Sequence, residues 1–258
     1  MATARLTDRA VLRVTGVDAR AYLQDLLTND IVRLTPTTPL WAGLLSPQGK
    51  VLFDMILHDA GDALLLDVAA DQAAALAKRL TMYRLRRAVV IEAVDAAVNA
   101  RWDATAAHAS DPRLAALGER WIGEATPDAS LGDYHRHRRA LGVPDSMDLM
   151  FDRLMWLEAN AVELNGVSFT KGCYVGQENT ARMHHRDKLR RRLLPVDFAG
   201  DPGDGVVLAD AVPVGELRSH DAGRGIAYLK LDAVEGATPL TLNGATLTVD
   251  WPAWLPPR

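Results

Sequence analysis

Between Ala10 and Val94 the apolar residues switch repeatedly between the period of a strand and that of a helix, and this order is the tightest constraint on the fold. "AVLRVTG" has the texture of a strand. Asp18 stands where an N-cap belongs, ahead of "ARAYLQDLLT", in which Tyr22, Leu23, Leu26 and Leu27 share one helical face. "WAGLLSPQGKVLFDMILHDAGDALLLDVA" divides into three strands, turned at Pro47-Gln48-Gly49 and at Ala60-Gly61-Asp62. Asp71 is placed to cap a second helix, "QAAALAKRLTMYRL", with Leu76, Leu80 and Tyr83 inward, and "AVVIEAV" closes the series as a strand. Strand-helix-strand-strand-strand-helix-strand predicts an α+β layer, an antiparallel sheet with helices on one face.

A second unit follows with a looser pattern. "VNARW" and "ERWIGEA" are strand-like, and "ASDPRLAALGE" between them has the composition of a surface connection. Asp133 is a candidate cap for "YHRHRRALG", and "FDRLMWLEANAVEL" predicts another helix. From Leu189 the texture changes to short strands separated by Gly, Pro and Asp, with Asn243-Gly244 a strong two-residue hairpin signal. That part is all-β, a small barrel or sandwich. The expected division is a first α+β unit over 1–95, a second over 96–188 and a β unit over 189–258, with interleaving of the first two left open.

With 258 residues the chain can bury a sizeable core. A net charge of -4 argues against general nucleic-acid binding, and no stretch approaches the ~18 apolar residues of a membrane span. One cysteine excludes an intrachain disulfide and fits a reducing compartment. "MATARLTDRAVLRVTG" lacks the apolar run of a secretory leader, so the expected location is cytoplasmic.

That cysteine, Cys173, lies in "FTKGCYVGQENTARMHH" between Gly172 and Gly176, glycines that permit positive φ or close backbone approach. A helix starting near Gln177 would bring N–H groups toward the thiol, and Lys171 would add positive charge; both favour a thiolate. The segment lacks the ligands of a structural zinc site, and pairing of Cys173 with His184 or His185 has only nearness in sequence behind it. Those two histidines are expected on a loop or strand edge. Lys171, Arg182, Arg186, Lys188, Arg190, Arg191 and Arg192 form a basic stretch, readable either as a solvated edge or as a site for a discrete anion. Tyr83, Arg84 and Arg86 are expected to serve packing and surface, and Trp41 and Trp156 to lie in the core.

"KGCYVGQE", Lys171 to Glu178, resembles the signature of the YgfZ-type folate-binding proteins of iron–sulfur cluster assembly and repair, and "NGVSFTKGCYVGQENTARMHHRDKLRRRLLP" is similar to the mitochondrial-type branch. "YLQDLLTNDI" and "LLSPQGKVLFDMIL" extend the likeness over most of the chain, leaving about 96–135 poorly matched. The resemblance implies the fold of the glycine cleavage T-protein aminomethyltransferase. That fold is a three-subdomain clover, two α+β (ferredoxin-like) parts and a β-barrel, around a folate-sized hole.

What the resemblance implies for function is a tetrahydrofolate-binding accessory factor for [4Fe–4S] proteins. Cys173, with Lys171, would carry the chemistry, and Gly172, Tyr174 and Gly176 would shape the turn. Glu158 in "WLEAN" would accept two parallel bonds from the pterin edge. Asn29, Asp30, Asp54, Gln177, Glu178 and Arg182 are the other cofactor-site candidates. Phe53 stands where the T-protein carries one of two acids, which disfavours the alternative, a folate-dependent aminomethyl transferase or demethylase. A single thiol excludes a stable all-cysteine cluster within one chain and leaves a transient or shared one. The expected partners are assembly proteins or client [4Fe–4S] enzymes and a small-molecule folate, with neither nucleic acid nor membrane.

Overall fold

A computed structural model describes residues 2–103, 107–186 and 189–256. The chain begins with β1 (Ala2–Arg5) and β2 (Arg9–Thr15), then α1 (Ala19–Leu26), β3 (Leu40–Leu45), β4 (Val51–Asp59), β5 (Ala63–Ala69), α2 (Ala73–Tyr83) and β6 (Val90–Val94). β7 (Val98–Trp102), β8 (Glu119–Ile122), α3 (Leu131–Ala140) and α4 (Gln177–Arg186) follow. The last stretch holds β9 (Arg191–Phe198), β10 (Val206–Ala209), β11 (Val212–Asp221), β12 (Arg224–Lys230), α5 (Leu231–Glu235), β13 (Leu240–Leu242) and β14 (Ala245–Val249).

The first sheet has the order β3-β4-β5-β2-β6 and is antiparallel throughout. Its alternation sends Leu12, Val14, Met55, Leu57, Leu64 and Leu66 onto Tyr22 and Leu23 of α1 and Leu76 and Leu80 of α2. The opposite face is apolar too. Trp41, Leu45, Val51 and Ile56 leave it to pack against Trp156, Leu157 and Tyr174, and against Leu193, Ile226 and Tyr228 of the last unit. Every residue of β3 is therefore buried, as expected of a strand covered on both faces.

The second sheet is small, β1-β7-β8, with β1 supplied from ahead of the first sheet: Ala2 pairs with Trp102 and Arg5 with Asn99. The third unit is a closed barrel in the order β10-β11-β12-β9-β14-β13. Asn243 and Gly244 turn β13 into β14 with φ of +47° and +81°, the two-residue hairpin that this pair favours.

Local expectations fail in instructive places. The helix predicted over "FDRLMWLEANAVEL" is only a 3-10 turn, Trp156–Ala159, ended by Asn160 at φ +62°. Asn160 is held there by the barrel, its amide donating to Leu193 O (2.8 Å) and accepting from Arg192 (2.7 Å), so tertiary bonds override propensity. "ASDPRLAALGE" is not a surface connection, because Asp111, Arg113 and Leu117 within it are 3%, 2% and 1% exposed. Asp71 caps nothing in α2, which starts after Gln72. At α3 the cap is Ser130, and Asp133 completes a capping box from N3. Asp18 holds the N-cap position of α1 but turns its carboxylate to the Ala88 N–H (2.7 Å). His184 and His185 lie on α4, where His184 stacks on Phe169 at 3.9 Å between centroids.

Candidate functional site

The motif loop is tied down on both sides of its cysteine. Lys171 is buried, and its ammonium donates to the carbonyls of Gln24 (2.6 Å), Leu27 (2.5 Å) and Asn29 (2.9 Å). These oxygens lie at the end of α1 and just beyond it, where carbonyls lack helical partners and a cation is favoured. Burial draws the lysine down to about 8, while Asp30 and Asp25 pull the other way and the three carbonyls favour its charged form. Lys171 is thus an anchor whose protons are all engaged. On the other side, Tyr174 is buried beside the tryptophans, and its phenol is pushed up to about 12 by burial.

Of the two glycines only Gly176 is conformationally required. It sits at φ +83°, and a Cβ there would lie 2.5 Å from Ser46 O. This close approach locks the start of α4 against the β3–β4 turn, and Asn179 Nδ2 adds a bond to Gln48 O (2.6 Å). Gly172 has no neighbour within 4 Å of a built Cβ and no positive φ, so the close approach expected of it is absent. Between these anchors Cys173 is exposed. The arrangement presents a thiol on a fixed loop, accessible to a partner.

α4 then carries Gln177, Glu178 and Arg182. Arg182 bonds Asn179 on the same helix, and among the described residues the side chains of Gln177 and Glu178 have no hydrogen-bond partner. The basic stretch disperses. Arg192 bonds Asn160 and Glu163 (2.7 Å each), Arg191 lies over the Tyr228 ring at 5.3 Å, and Lys188 falls outside the described residues.

Glu158 is buried in the junction of the units, where its Oε2 accepts from Met155 N–H (3.0 Å) and the Tyr228 hydroxyl (2.7 Å). Burial raises its pKa against the pull of those two bonds. With Oε2 occupied twice, the two-pronged acceptor expected there is reduced to one oxygen, Oε1. Asn29 is a strap, its amide donating to Trp41 O and Asn165 O (2.8 Å each). Asp30 caps the turn at Ile31–Arg33 through Val32 N–H (3.2 Å). Trp41 and Trp156 are core residues in mutual contact, centroids 4.5 Å apart.

Asp54 belongs to a buried polar network that sequence reasoning missed. It accepts from Ser146 Oγ (2.6 Å) and Trp41 Nε1 (3.1 Å). Ser146 accepts from Arg9 (2.7 Å), and Arg9 and Arg120 grip the two oxygens of Asp67 at 2.6 Å each. Arg113 joins Asp111, Asp145 and the Tyr134 hydroxyl. Burial would raise Asp145, but Arg113 and Arg9 hold it well below the usual carboxylate range. Three arginines balance Asp67, Asp111 and Asp145, and the remaining acid, Asp54, is raised by burial and by Asp145 toward its neutral form. The available signal was Asp67 itself, a lone charge in the apolar strand "ALLLDVA". Among the described residues no group of three or more His, Cys, Asp and Glu is placed to hold a metal ion.

Residues 190–257 match the family model described as the CAF17 C-terminal beta-barrel domain. Over 303 aligned residues the chain is 34% identical to the human mitochondrial iron–sulfur cluster assembly factor IBA57, covering 98% of this chain and 85% of that one. The mouse protein of that name is 33% identical over the same shares, and the Neurospora crassa mitochondrial homolog is 32% identical over 74% of this chain and 52% of its own. These relatives are mitochondrial by name, which corrects the expectation of a cytoplasmic protein. Among solved structures, the glycine cleavage system aminomethyltransferase T of Bartonella henselae superposes with a TM-score of 0.78, covering 98% of this chain and 86% of that one at 15% identity. The fold is accordingly that of the T-protein, mixed α+β units with a closed six-stranded barrel at the end.

Proposed function

The chain belongs to the IBA57-type family of iron–sulfur cluster assembly factors, and on that premise we propose that it assists the assembly or repair of [4Fe–4S] proteins with Cys173 as its working thiol. The observation that carries this reading is the geometry of the motif loop. An exposed cysteine stands between a lysine locked into the end of α1 and a tyrosine locked into the core. A loop fixed in this way holds its thiol ready for a partner at little entropic cost. One thiol supplies one ligand of a cluster, so the remaining ligands come from the assembly protein or client that meets it.

A reduced folate held beside Glu158 is part of the proposal. The fit is monodentate: Oε1 can accept one N–H, while Trp41 and Trp156 are occupied with each other and offer no stacking face. Such a folate would supply a one-carbon unit or a reducing ring. The rival reading, an aminomethyl transferase, is disfavoured by Asp54, whose carboxylate is buried and bonded to Ser146 and Trp41, and by Phe53 beside it.

Complementation of a strain lacking its own family member tests the proposal. The wild-type gene is expected to restore [4Fe–4S] enzyme activity, and Cys173→Ala to restore little of it. Full restoration by Cys173→Ala removes the thiol from the function. Glu158→Ala, assayed in parallel with tetrahydrofolate binding by equilibrium dialysis, is expected to lose the ligand; unchanged binding removes the folate assignment.

A further inference from the structure

The last turn of α2 and the segment joining it to β6 carry a surface that the thiol chemistry does not use. Met82 and Leu85 expose 63% and 86% of their areas, and Val17, in the facing β2–α1 turn, exposes 93%. The two segments are tied by the Asp18 carboxylate on Ala88 N–H. Between α1 and residues 83–87 lies a cavity of about 590 Å³ with Tyr22, Leu26, Tyr83 and Leu85 among its walls.

Leu85 is unfavourable there on two counts. Its φ of +53° is the left-handed conformation, which costs a side chain on the order of 1 kcal/mol, and its exposure returns nothing by burial. A glycine would serve the turn better, so the leucine is not explained by folding.

The charge around it is equally unbalanced. Lys78, Arg79, Arg84, Arg86 and Arg87 follow closely in sequence, and among the described residues only Arg87 has a carboxylate partner, Asp25 at 2.5 Å. Arg84 donates to Val89 O and Arg79 to the Tyr83 hydroxyl, both neutral acceptors. Of these, Arg84, Arg86 and Arg87 line the groove together with Asp18 and Asp25; Asp25 engages Arg87 and Asp18 the Ala88 N–H, which leaves Arg84 and Arg86 as cations without a carboxylate among the described residues.

The groove is also joined to the thiol loop. Asp25 and Leu26 line it, and the carbonyls on either side of them, Gln24 and Leu27, receive the Lys171 ammonium.

We propose that this groove docks an acidic protein of the iron–sulfur assembly machinery, which seats an apolar side chain against Leu85 and carboxylates on Arg84 and Arg86. The inference rests on the assembly-factor reading and names where that partner binds. The continuity of the groove with the Lys171 anchor of the thiol loop favours a protein that also reaches Cys173 over a bilayer.

The test is calorimetric titration of purified iron–sulfur assembly proteins of the same organism, one at a time, into the full chain and into Leu85→Gly, Arg86→Glu and their double variant. Leu85→Gly relieves the left-handed backbone, so its melting temperature is expected to equal or exceed that of the wild type. At least one acidic assembly protein is expected to bind the wild type, to bind each variant about tenfold more weakly, and to weaken with added salt. Equal affinity for wild type and variants overturns the groove assignment and leaves the assembly-factor reading standing. If no assembly protein binds the wild type, the inference falls, and the complementation by Cys173 judges the reading separately. Leu85-dependent sedimentation with phosphatidylglycerol-containing vesicles, without any protein binding, makes the face a lipid surface and overturns the proposal.

Discussion

At Glu158 the carboxylate accepts two hydrogen bonds and is still raised above the usual range, because burial outweighs them. A carboxyl whose folded pKa exceeds its unfolded one stabilises the fold through its protonated form. That contribution is complete below the unfolded value and is lost as pH rises through the folded one. Glu158→Gln keeps an acceptor for Tyr228 and cannot ionise. Its melting temperature is therefore expected to exceed that of the wild type near about pH 7 and to converge with it near about pH 4. A lower melting temperature for the variant at neutral pH would show that the ionised carboxylate is the stabilising form. Lys171 shows where a site residue stops being legible in sequence. Its nearness to Cys173 was plain, but its partners lie about 140 positions away and turn it from a chemical group into an anchor.

The elements with clean periodicity were readable because local pattern and tertiary burial agree in them. β3 to β5, α1 and the Asn243-Gly244 hairpin are such cases. At Trp156–Ala159 the local pattern and the structure part company because the barrel, through Asn160, decides the shape of the stretch. The glycines of the motif divide in the same way, since only packing tells them apart. Gly176→Ala forces a Cβ toward Ser46 O in a left-handed backbone and is expected to cost about 2–4 kcal/mol in a denaturant titration. Gly172→Ala, in open space, is expected to stay within about 0.5 kcal/mol of wild type. Comparable losses from both would mean that the loop is held by something other than the Gly176 contact.

Across the whole molecule, the buried arginine–aspartate network joins strands of both sheets to the segments carrying Asp111, Arg113, Asp145 and Ser146. Composition could not reveal it, because charges that neutralise one another inside look in sequence like ordinary surface charges. Arg113→Met leaves Asp111 and Asp145 short of countercharge in the interior and is expected to cost about 3–5 kcal/mol. Adding Asp111→Leu is expected to recover part of the loss, and a double variant no better than the single one would contradict the pairing. The pairing of β1 with β7 bears on how the chain reaches this state. The entire first sheet with its two helices is an insertion between the two halves of a neighbouring one. It can complete itself while Ala2–Arg5 waits for a strand that begins only at Val98. Once that sheet is complete, β2 paired with β6 holds Val11 beside Val94, so β1 and β7 meet across a short effective loop, and a chain stopped before Val98 would hold a finished first sheet beside an orphaned strand.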